Sequence, residues 1–334
     1  MKVKGIRHKL TVAILSVILF FGTFEVALRI IKFHVNQTNQ YFKFASFYFV
    51  PDKSVPIELK DPYLFWSNYK HEYFRGRHHP LVKPKDTFRI ICMGDSITQG
   101  WAPYNIKFNE TYPYMLEELF HSNKMNNLEV INAGTGGYTS FQGLRFLKRD
   151  LLNYDPDLLI IWFGINDADN AILFIDKEQK MCNKTIKRLD AFLSHSKFYQ
   201  LYQQVLFRLA SCRWFDKKRV SGEDYCNNLR EMANLAKKNN ITPVFIIPFL
   251  RFGSEVLSYK EMKDYKKYAE IFNEFSNKGI IVVDLSLLFK GKEDLDSYFI
   301  DRCHLALKGN RLVSEDIYDI LTGRGIISNT KKGY

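Results

Sequence analysis

Short β-rich runs and amphipathic helical runs alternate from residue 86 to residue 325, and this alternation constrains the fold more than any other feature of the sequence. Between the β-rich runs, apolar side chains recur at helical spacing, as they do from Tyr112 to Phe120. Strict alternation of strand and helix predicts a mainly parallel sheet with helices on both faces, which is a three-layer α/β sandwich. The five predicted strands are residues 87–93, 128–132, 158–163, 243–247 and 280–284.

The composition is that of a globular protein. Of the 334 residues, 46% are hydrophobic and 25% are charged, which excludes a disordered chain. Five cysteines are too few for a disulfide scaffold. The 48 Lys and Arg residues exceed the 36 Asp and Glu residues, so the formal net charge is +12. Because acidic and basic side chains are mixed along the predicted helices, we interpret this excess as a solvated basic surface and expect no nucleic-acid partner.

The first 31 residues have the pattern of a membrane segment. Four basic residues precede an apolar run that extends from residue 10 to residue 31. As one helix this run is roughly 33 Å long, at about 1.5 Å per residue, which is enough to span a bilayer. The run shows no clear cleavage site of small residues, so we predict an uncleaved signal anchor, with a cleaved signal peptide as the alternative. The positive-inside rule then leaves residues 1–9 in the cytoplasm and the rest of the chain outside.

The sequence predicts one folded domain behind this anchor. Residues 32–85 are aromatic and contain several prolines, and we interpret them as a juxtamembrane segment that packs against the domain. The domain is predicted over residues 86–325, with an irregular insertion at 168–220 and a tail at 326–334. Three cysteines lie outside the motifs described below, and either two of them form a disulfide or all three are free thiols: Cys182, Cys212 and Cys226.

Polar residues stand in four short loops, three of which directly follow predicted strands. The loops are GDSITQG at 94–100, NAGTGGYT at 132–139, GIND at 164–167 and DRCH at 301–304. The carboxyl ends of parallel strands lie at one edge of a sheet, where ligands bind in open α/β folds. We therefore expect the four loops to meet there and to form the functional site.

Other motifs of similar composition fail on spacing. A phosphate-binding P-loop requires G-x-x-x-x-G-K-[ST], whereas the first loop has one residue too many between its glycines. A dinucleotide-binding fingerprint that starts at Gly134 has Thr139 where its last glycine should be. The motif G-x-S-x-G is interrupted by Thr98. For a zinc site, Cys303 and His304 supply at most two of the three or four ligands needed.

The four loops, in this order, resemble the sequence blocks of the SGNH (GDSL) hydrolase family. The resemblance runs from about residue 85 to residue 321 and implies a flavodoxin-like fold, usually with five parallel strands. It implies that Ser96 in the first loop is a catalytic nucleophile. It further implies that Gly137 and Asn166 belong to an oxyanion hole. The last block matches at Asp301 and His304, which would complete a catalytic triad.

These residue types suit acyl transfer through a serine. A serine hydroxyl is a weak nucleophile until a base removes its proton, so Ser96 requires His304 within hydrogen-bond reach. Asp301 can hold the imidazole in the correct tautomer and stabilise its charged form. The oxyanion hole would consist of the backbone N–H groups of Ser96 and Gly137 and the side-chain amide of Asn166. We expect that no metal ion and no organic cofactor is required.

The sequence thus predicts a membrane-bound serine ester hydrolase that acts on O-acyl esters of a glycan, a lipid or a small molecule outside the cytoplasm. One alternative is an O-acyltransferase, because transfer to a sugar hydroxyl uses the same acyl-serine intermediate. Another is a non-catalytic glycan-binding module, which the complete set of catalytic residue types argues against. Asp95 is expected to be a structural turn residue, and Ser96 is a better nucleophile candidate than Cys303.

Overall fold

The structure of the protein, a computed structural model, divides into two compact units. The larger unit comprises Ile57–Ala171, Ile175–Glu178 and Lys217–Tyr334. The smaller unit comprises Met1–Pro56, Ile172–Phe174 and Gln179–Asp216. The residues that the structure describes are 2–33, 61, 63–66, 74–100, 107–171, 175–178, 189, 192–193, 195–211 and 217–327.

A parallel sheet forms the centre of the larger unit. The strands among the described residues of this unit are β1 (Phe88–Gly94), β2 (Leu128–Asn132), β3 (Leu158–Trp162), β4 (Thr242–Ile246), β5 (Phe249–Phe252), β6 (Glu255–Ser258) and β7 (Ile281–Val283). Five of them pair in parallel in the order β2-β1-β3-β4-β7. Ile91 in β1 is aligned with Ile131 in β2 and Leu159 in β3, and all three are fully buried. The predicted fold class, a mainly parallel five-stranded α/β sandwich, is confirmed.

Helices cover the two faces of the sheet. Among the described residues of both units, the α-helices are α1 (Lys2–Ile30), α2 (Ser96–Gln99), α3 (Tyr112–Ser122), α4 (Ser140–Arg149), α5 (Lys197–Ser211), α6 (Gly222–Lys238), α7 (Lys266–Asn277) and α8 (Leu307–Gly323). Of these, α1 and α5 belong to the smaller unit and the others to the larger unit. On one side α3 packs against α8, and on the other α6 packs between α4 and α7. In these five helices, buried and exposed residues alternate at helical spacing. One side of each helix is therefore packed into the unit, and the opposite side faces solvent.

A hairpin that the sequence pattern did not predict follows β4. β5 pairs antiparallel with β6 in a separate two-stranded sheet. Gly253 in the turn between them has a φ of 59°, in the left-handed region that favours glycine. Strands of four residues are too short to show a clear alternation of apolar and polar side chains, so the apolar pattern alone did not separate them from a loop.

In the smaller unit, α1 contains the apolar N-terminal run. The 20 residues Thr11–Ile30 are long and apolar enough to cross a membrane, although a signal sequence has the same properties. The α5 helix packs against α1, with the ring of Phe198 edge-on to that of Phe21 at a centroid distance of 4.7 Å. Glu25 in α1 accepts a hydrogen bond from the backbone N–H of Phe198 at 2.9 Å, near the start of α5.

The structure shows the state of one of the three cysteines that lie outside the motifs. Cys226 lies in α6 of the larger unit and is buried and free, so it takes part in no disulfide. Cys182 and Cys212 lie outside the described residues.

Candidate active site

The first polar loop places Ser96 at the start of α2. β1 ends at Gly94, and the carboxylate of Asp95 caps α2 by accepting a hydrogen bond from the backbone N–H of Ile97 at 2.9 Å. Ser96 is therefore the first residue of the helix, at the carboxyl edge of the sheet. Asp95 is 1% exposed, and this burial raises the pKa of its carboxyl group to about 6.

Ser96, His304 and Asp301 form one chain of hydrogen bonds. The Nε2 atom of His304 lies 2.8 Å from the Oγ atom of Ser96, and its Nδ1 atom lies 2.7 Å from Oδ2 of Asp301. When Asp301 is ionised, Nδ1 of His304 donates to it, and Nε2 is left to accept the proton of the serine hydroxyl. The structure thus brings together the three side chains that the sequence analysis assigned to the triad.

The carboxylate of Asp301 is held by its own loop. Its Oδ1 atom accepts hydrogen bonds from the backbone N–H groups of Cys303 at 2.9 Å and His304 at 2.8 Å. Partial burial opposes ionisation of Asp301, but these bonds and the one from the His304 ring outweigh it and hold the pKa of the carboxyl group well below its usual range. Asp301 is therefore a carboxylate at neutral pH, able to stabilise a positive charge on His304.

Cys303 lies beside the triad. Its Sγ atom is 3.6 Å from Nδ1 of His304. Burial, reinforced by the negative charge of Asp301, raises the pKa of the Cys303 thiol, and an un-ionised thiol is a poor nucleophile. Asp301, Cys303 and His304 also bring three possible metal donors within 4.8 Å of one another, one more than the sequence analysis counted. Asp301 and His304 are hydrogen-bonded to each other, and His304 is also hydrogen-bonded to Ser96, so these donor atoms already have partners within the protein.

The second polar loop, after β2, lies against α2. A Cβ atom on Gly134 would lie 2.2 Å from the backbone nitrogen of Gln99, so only glycine allows this approach. The backbone N–H of Gly136 donates to Oε1 of Gln99 at 2.9 Å. Gly137 has a φ of 78°, which also favours glycine. These contacts place the loop next to Ser96, since a Cβ atom on Gly136 would lie 3.9 Å from that of Ser96.

The third polar loop, after β3, contributes Asn166. The side chain of Asn166 is buried, and its Nδ2 atom donates to the carbonyl oxygen of Tyr138 at 3.0 Å. Because an amide group has two N–H bonds, this contact uses one and leaves the other for a ligand. The same contact joins Asn166 to the residue that follows Gly137, so two of the three expected oxyanion donors, Gly137 and Asn166, lie in loops that are hydrogen-bonded to each other.

A buried ion pair that no sequence motif indicates is hydrogen-bonded to the second loop. Nη1 of Arg219 donates to the carbonyl oxygen of Gly137 at 2.9 Å, and Nη2 pairs with Oδ2 of Asp176 at 3.0 Å. Asp176 is fully buried and also accepts a hydrogen bond from Thr139 Oγ1 at 2.7 Å. Asp176 and Arg219 both lie in the stretch at 168–220, which we interpret from the sequence as an irregular insertion. Neither residue belongs to a recognisable motif there.

A serine, a histidine and a carboxylate in one hydrogen-bonded chain at the carboxyl edge of a parallel sheet have the geometry of a serine hydrolase. The profile of the GDSL-like lipase/acylhydrolase family matches residues 92–312, which is more than half of the chain. The protein therefore belongs to this family of lipases and acylhydrolases.

Individual relatives are distant. An uncharacterized lipoprotein of Bacillus subtilis (strain 168), YqeF, is 30% identical over 110 residues, which cover 32% of this chain and 43% of YqeF. The match therefore spans less than half of that relative. The lipase/acylhydrolase from Enterococcus faecalis is 20% identical over 71% of this chain and 97% of its own, with a TM-score of 0.48. The esterase EstA from Pseudoalteromonas sp. is 16% identical over 72% of this chain and 99% of its own, with a TM-score of 0.45.

Proposed function

We propose that the protein is a membrane-anchored serine esterase that removes O-acyl groups from a glycan, a lipid or a small molecule outside the cytoplasm. The observation that carries this proposal is the 2.8 Å contact between Oγ of Ser96 and Nε2 of His304. A hydroxyl in contact with an imidazole, which is itself hydrogen-bonded to a carboxylate, is equipped for attack on an ester carbonyl.

The proposed reaction has two halves. In the first, Oγ of Ser96 bonds to the ester carbonyl carbon while its proton passes to Nε2 of His304. The oxyanion is stabilised by the backbone N–H groups of Ser96 and Gly137 and by the amide of Asn166. The bond to the alcohol then breaks, and His304 returns the proton to the leaving oxygen. In the second half, water attacks the acyl carbon while His304 takes a proton from it. The bond from that carbon to Oγ of Ser96 then breaks, and His304 returns the proton to Oγ as the acid is released.

Labelling of the active-site serine tests the proposal most directly. The full chain in detergent should react with a fluorophosphonate probe and should hydrolyse p-nitrophenyl esters, and a series of increasing acyl length will show the preferred substrate. Ser96→Ala should abolish both activities. Ser276→Ala, which changes an exposed serine at the end of α7, is the matched control and should keep both. Persistent labelling of Ser96→Ala would reject Ser96 as the nucleophile.

We propose further that α1 remains attached and spans the membrane once. The support is the length and apolar composition of Thr11–Ile30 together with the basic residues ahead of it. A reporter that is active only in the cytoplasm should be active when fused ahead of Met1 and silent when fused after Tyr334. Activity of the second fusion would reverse the proposed orientation. A mature protein that begins beyond Ile31 would show that α1 is a cleaved signal peptide.

A further inference from the structure

Trp66 contacts the second polar loop at two points. Its indole N–H donates to the carbonyl oxygen of Gly136 at 3.1 Å. Its own backbone carbonyl accepts a hydrogen bond from the hydroxyl group of Tyr138 at 2.6 Å. The two aromatic rings meet edge-on with their centroids 5.5 Å apart, and Trp66 is 6% exposed. Trp66 is therefore hydrogen-bonded to the residues on both sides of Gly137.

The bond from Trp66 fixes the direction of the Gly137 N–H. The carbonyl of Gly136 and the N–H of Gly137 belong to the same peptide group. In a planar trans peptide these two bonds point in opposite directions, so a donor that holds the carbonyl on one side aims the N–H toward the other. The peptide lies between two glycines, which restrict backbone rotation less than any other residue. The N–H of Gly136 and the carbonyl of Gly137, in the two flanking peptides, are bonded to Gln99 and Arg219. The bond from Trp66 acts directly on the peptide that carries the Gly137 N–H and so restricts its orientation further.

The segment around Trp66 is itself firmly attached to the larger unit. Nη1 of Arg149 bonds to both carboxylate oxygens of Asp61, at 2.8 and 2.7 Å. Nη1 of Arg145 donates to the carbonyl oxygen of Tyr63 at 2.7 Å. Leu64 is completely buried. Both arginines lie on α4, the helix that starts just after the second loop, so the indole of Trp66 and the loop share one support.

We propose that Trp66 is a positioning residue of the oxyanion hole, which holds the Gly137 N–H toward the developing oxyanion through the carbonyl of Gly136. The inference builds on the proposed serine esterase function. It assigns a part in the reaction to the segment that precedes the residues matched by the family profile. Trp66 acts through the Gly136–Gly137 peptide, so its loss should weaken binding of the transition state more than binding of the substrate.

A matched pair of tryptophan variants tests this proposal. Trp66→Phe removes the indole N–H that bonds to Gly136. Trp162→Phe removes the indole of another buried tryptophan, which packs against Tyr112 and Phe249 and whose Nε1 has no hydrogen-bond partner among the described residues. Both variants lose similar packing, but only the first loses a hydrogen bond. The measurements are kcat and KM for a p-nitrophenyl ester and Ki for an alkyl boronic acid, which forms a tetrahedral adduct with an active serine.

Misorientation of one donor should cost less than its removal, so Trp66→Phe should lower kcat by about 10- to 100-fold, with KM changed by less than about threefold. The boronic acid Ki should rise by a similar factor to the fall in kcat, because the adduct places an oxygen in the oxyanion hole. Trp162→Phe should leave kcat and Ki within about threefold of the native values, since it removes no polar contact. Equal losses in the two variants would overturn the proposal, as would an unchanged kcat in Trp66→Phe.

Two further measurements keep the outcome decisive. If Trp66→Phe does not fold by circular dichroism, benzothienylalanine at position 66 retains the shape of tryptophan with sulfur in place of the N–H. The same fall in kcat is then expected, and native kcat would overturn the proposal. Failure of the serine esterase function itself is recognised separately. A native protein that hydrolyses no ester and takes up no fluorophosphonate overturns both proposals, whereas an active native protein with an equally active Trp66→Phe variant overturns only the role of Trp66.

Discussion

The Nε2 atom of His304 lies 2.8 Å from the Oγ atom of Ser96, although the two residues are 208 positions apart in the chain. The topology produces this contact. Ser96 follows β1, which lies between β2 and β3, whereas His304 follows the last strand, β7, at the edge of the sheet. After β7 the chain leads to α8, which packs against α3, a helix in the connection from β1 to β2. His304 lies just before α8, and this packing places it at the carboxyl end of β1.

This contact predicts that Ser96 and His304 act as a unit. His304→Ala should lower kcat nearly as much as Ser96→Ala, on the order of 10⁶-fold, because the hydroxyl is not activated without its base. Asp301→Ala should cost less, on the order of 10⁴-fold, because His304 can still accept a proton when it is less well oriented. The measurement is kcat for a p-nitrophenyl ester, with circular dichroism to verify folding.

His121→Ala is the control for the histidine substitution. His121 lies on α3, and its Nε2 atom contacts the carbonyl oxygen of Leu128, at the start of β2 and thus at the opposite edge of the sheet. This variant should retain native kcat. An Asp301→Ala variant that is more impaired than His304→Ala would contradict the proposed division of roles.

Asn166→Ala tests the oxyanion hole. The substitution removes one donor and leaves the backbone donors in place, so kcat should fall by roughly 10² to 10³, or about 2.7–4 kcal/mol of transition-state stabilisation. KM should change much less, because the lost bond belongs to the transition state. The exposed Asn127, whose side chain bonds to the carbonyl oxygen of Asp86, provides the control Asn127→Ala with native kcat. An unchanged kcat in Asn166→Ala would remove Asn166 from the oxyanion hole.

The parallel sheet was predictable because its strands are buried on both faces and therefore appear as continuous apolar runs. Residues 158–162 are an example, since all five are buried. The meeting of the polar loops was likewise predictable, because parallel strands end at a common edge. Their catalytic roles remain predictions, which the variants above are chosen to test.

The supporting residues were not predictable by the same reasoning. Arg219, Asp176 and Trp66 all contact the second loop or its flanks, but they lie in segments without a repeating pattern. Their positions follow from tertiary packing, and a lone charged or aromatic side chain in such a segment is ordinarily assigned to the surface or the core. Only the folded structure shows that Arg219 and Trp66 both bind carbonyl groups of consecutive glycines.

The ion pair between Arg219 and Asp176 should stabilise the fold as well as the loop. Arg219→Met leaves the fully buried carboxylate of Asp176 without its cation, which should cost about 3–5 kcal/mol of unfolding free energy. Adding Asp176→Asn should restore part of this loss, because no uncompensated charge then remains. Urea unfolding of the full chain in detergent measures both effects. Lys218→Met, at the neighbouring exposed position, is the control and should unfold like the native protein. An Arg219→Met variant as stable as the native protein would show that the ion pair does not stabilise the fold.

The last prediction concerns Asp167, which follows Asn166 in the third loop and is fully buried. Its carboxylate accepts hydrogen bonds from the backbone N–H of Ser140 at 3.0 Å and from the hydroxyl of Ser140 at 2.5 Å. Burial outweighs these bonds and raises the pKa of Asp167 from 3.8 to about 7. The folded protein thus keeps a proton that the unfolded chain releases near pH 4. The resulting stabilisation is complete below about pH 4 and is lost as the pH rises through about 7.

Asp167→Asn should remove this pH dependence, because asparagine accepts the same hydrogen bonds from Ser140 and does not ionise. The interval from 3.8 to about 7 corresponds to about 4 kcal/mol, so the variant should gain up to this much unfolding free energy relative to the native protein between pH 4 and pH 8. Urea unfolding at pH 5 and pH 8 measures the gain, and Asp294→Asn, at an exposed position, is the control. If the native protein and Asp167→Asn differ by the same amount at both pH values, Asp167 does not titrate in this range.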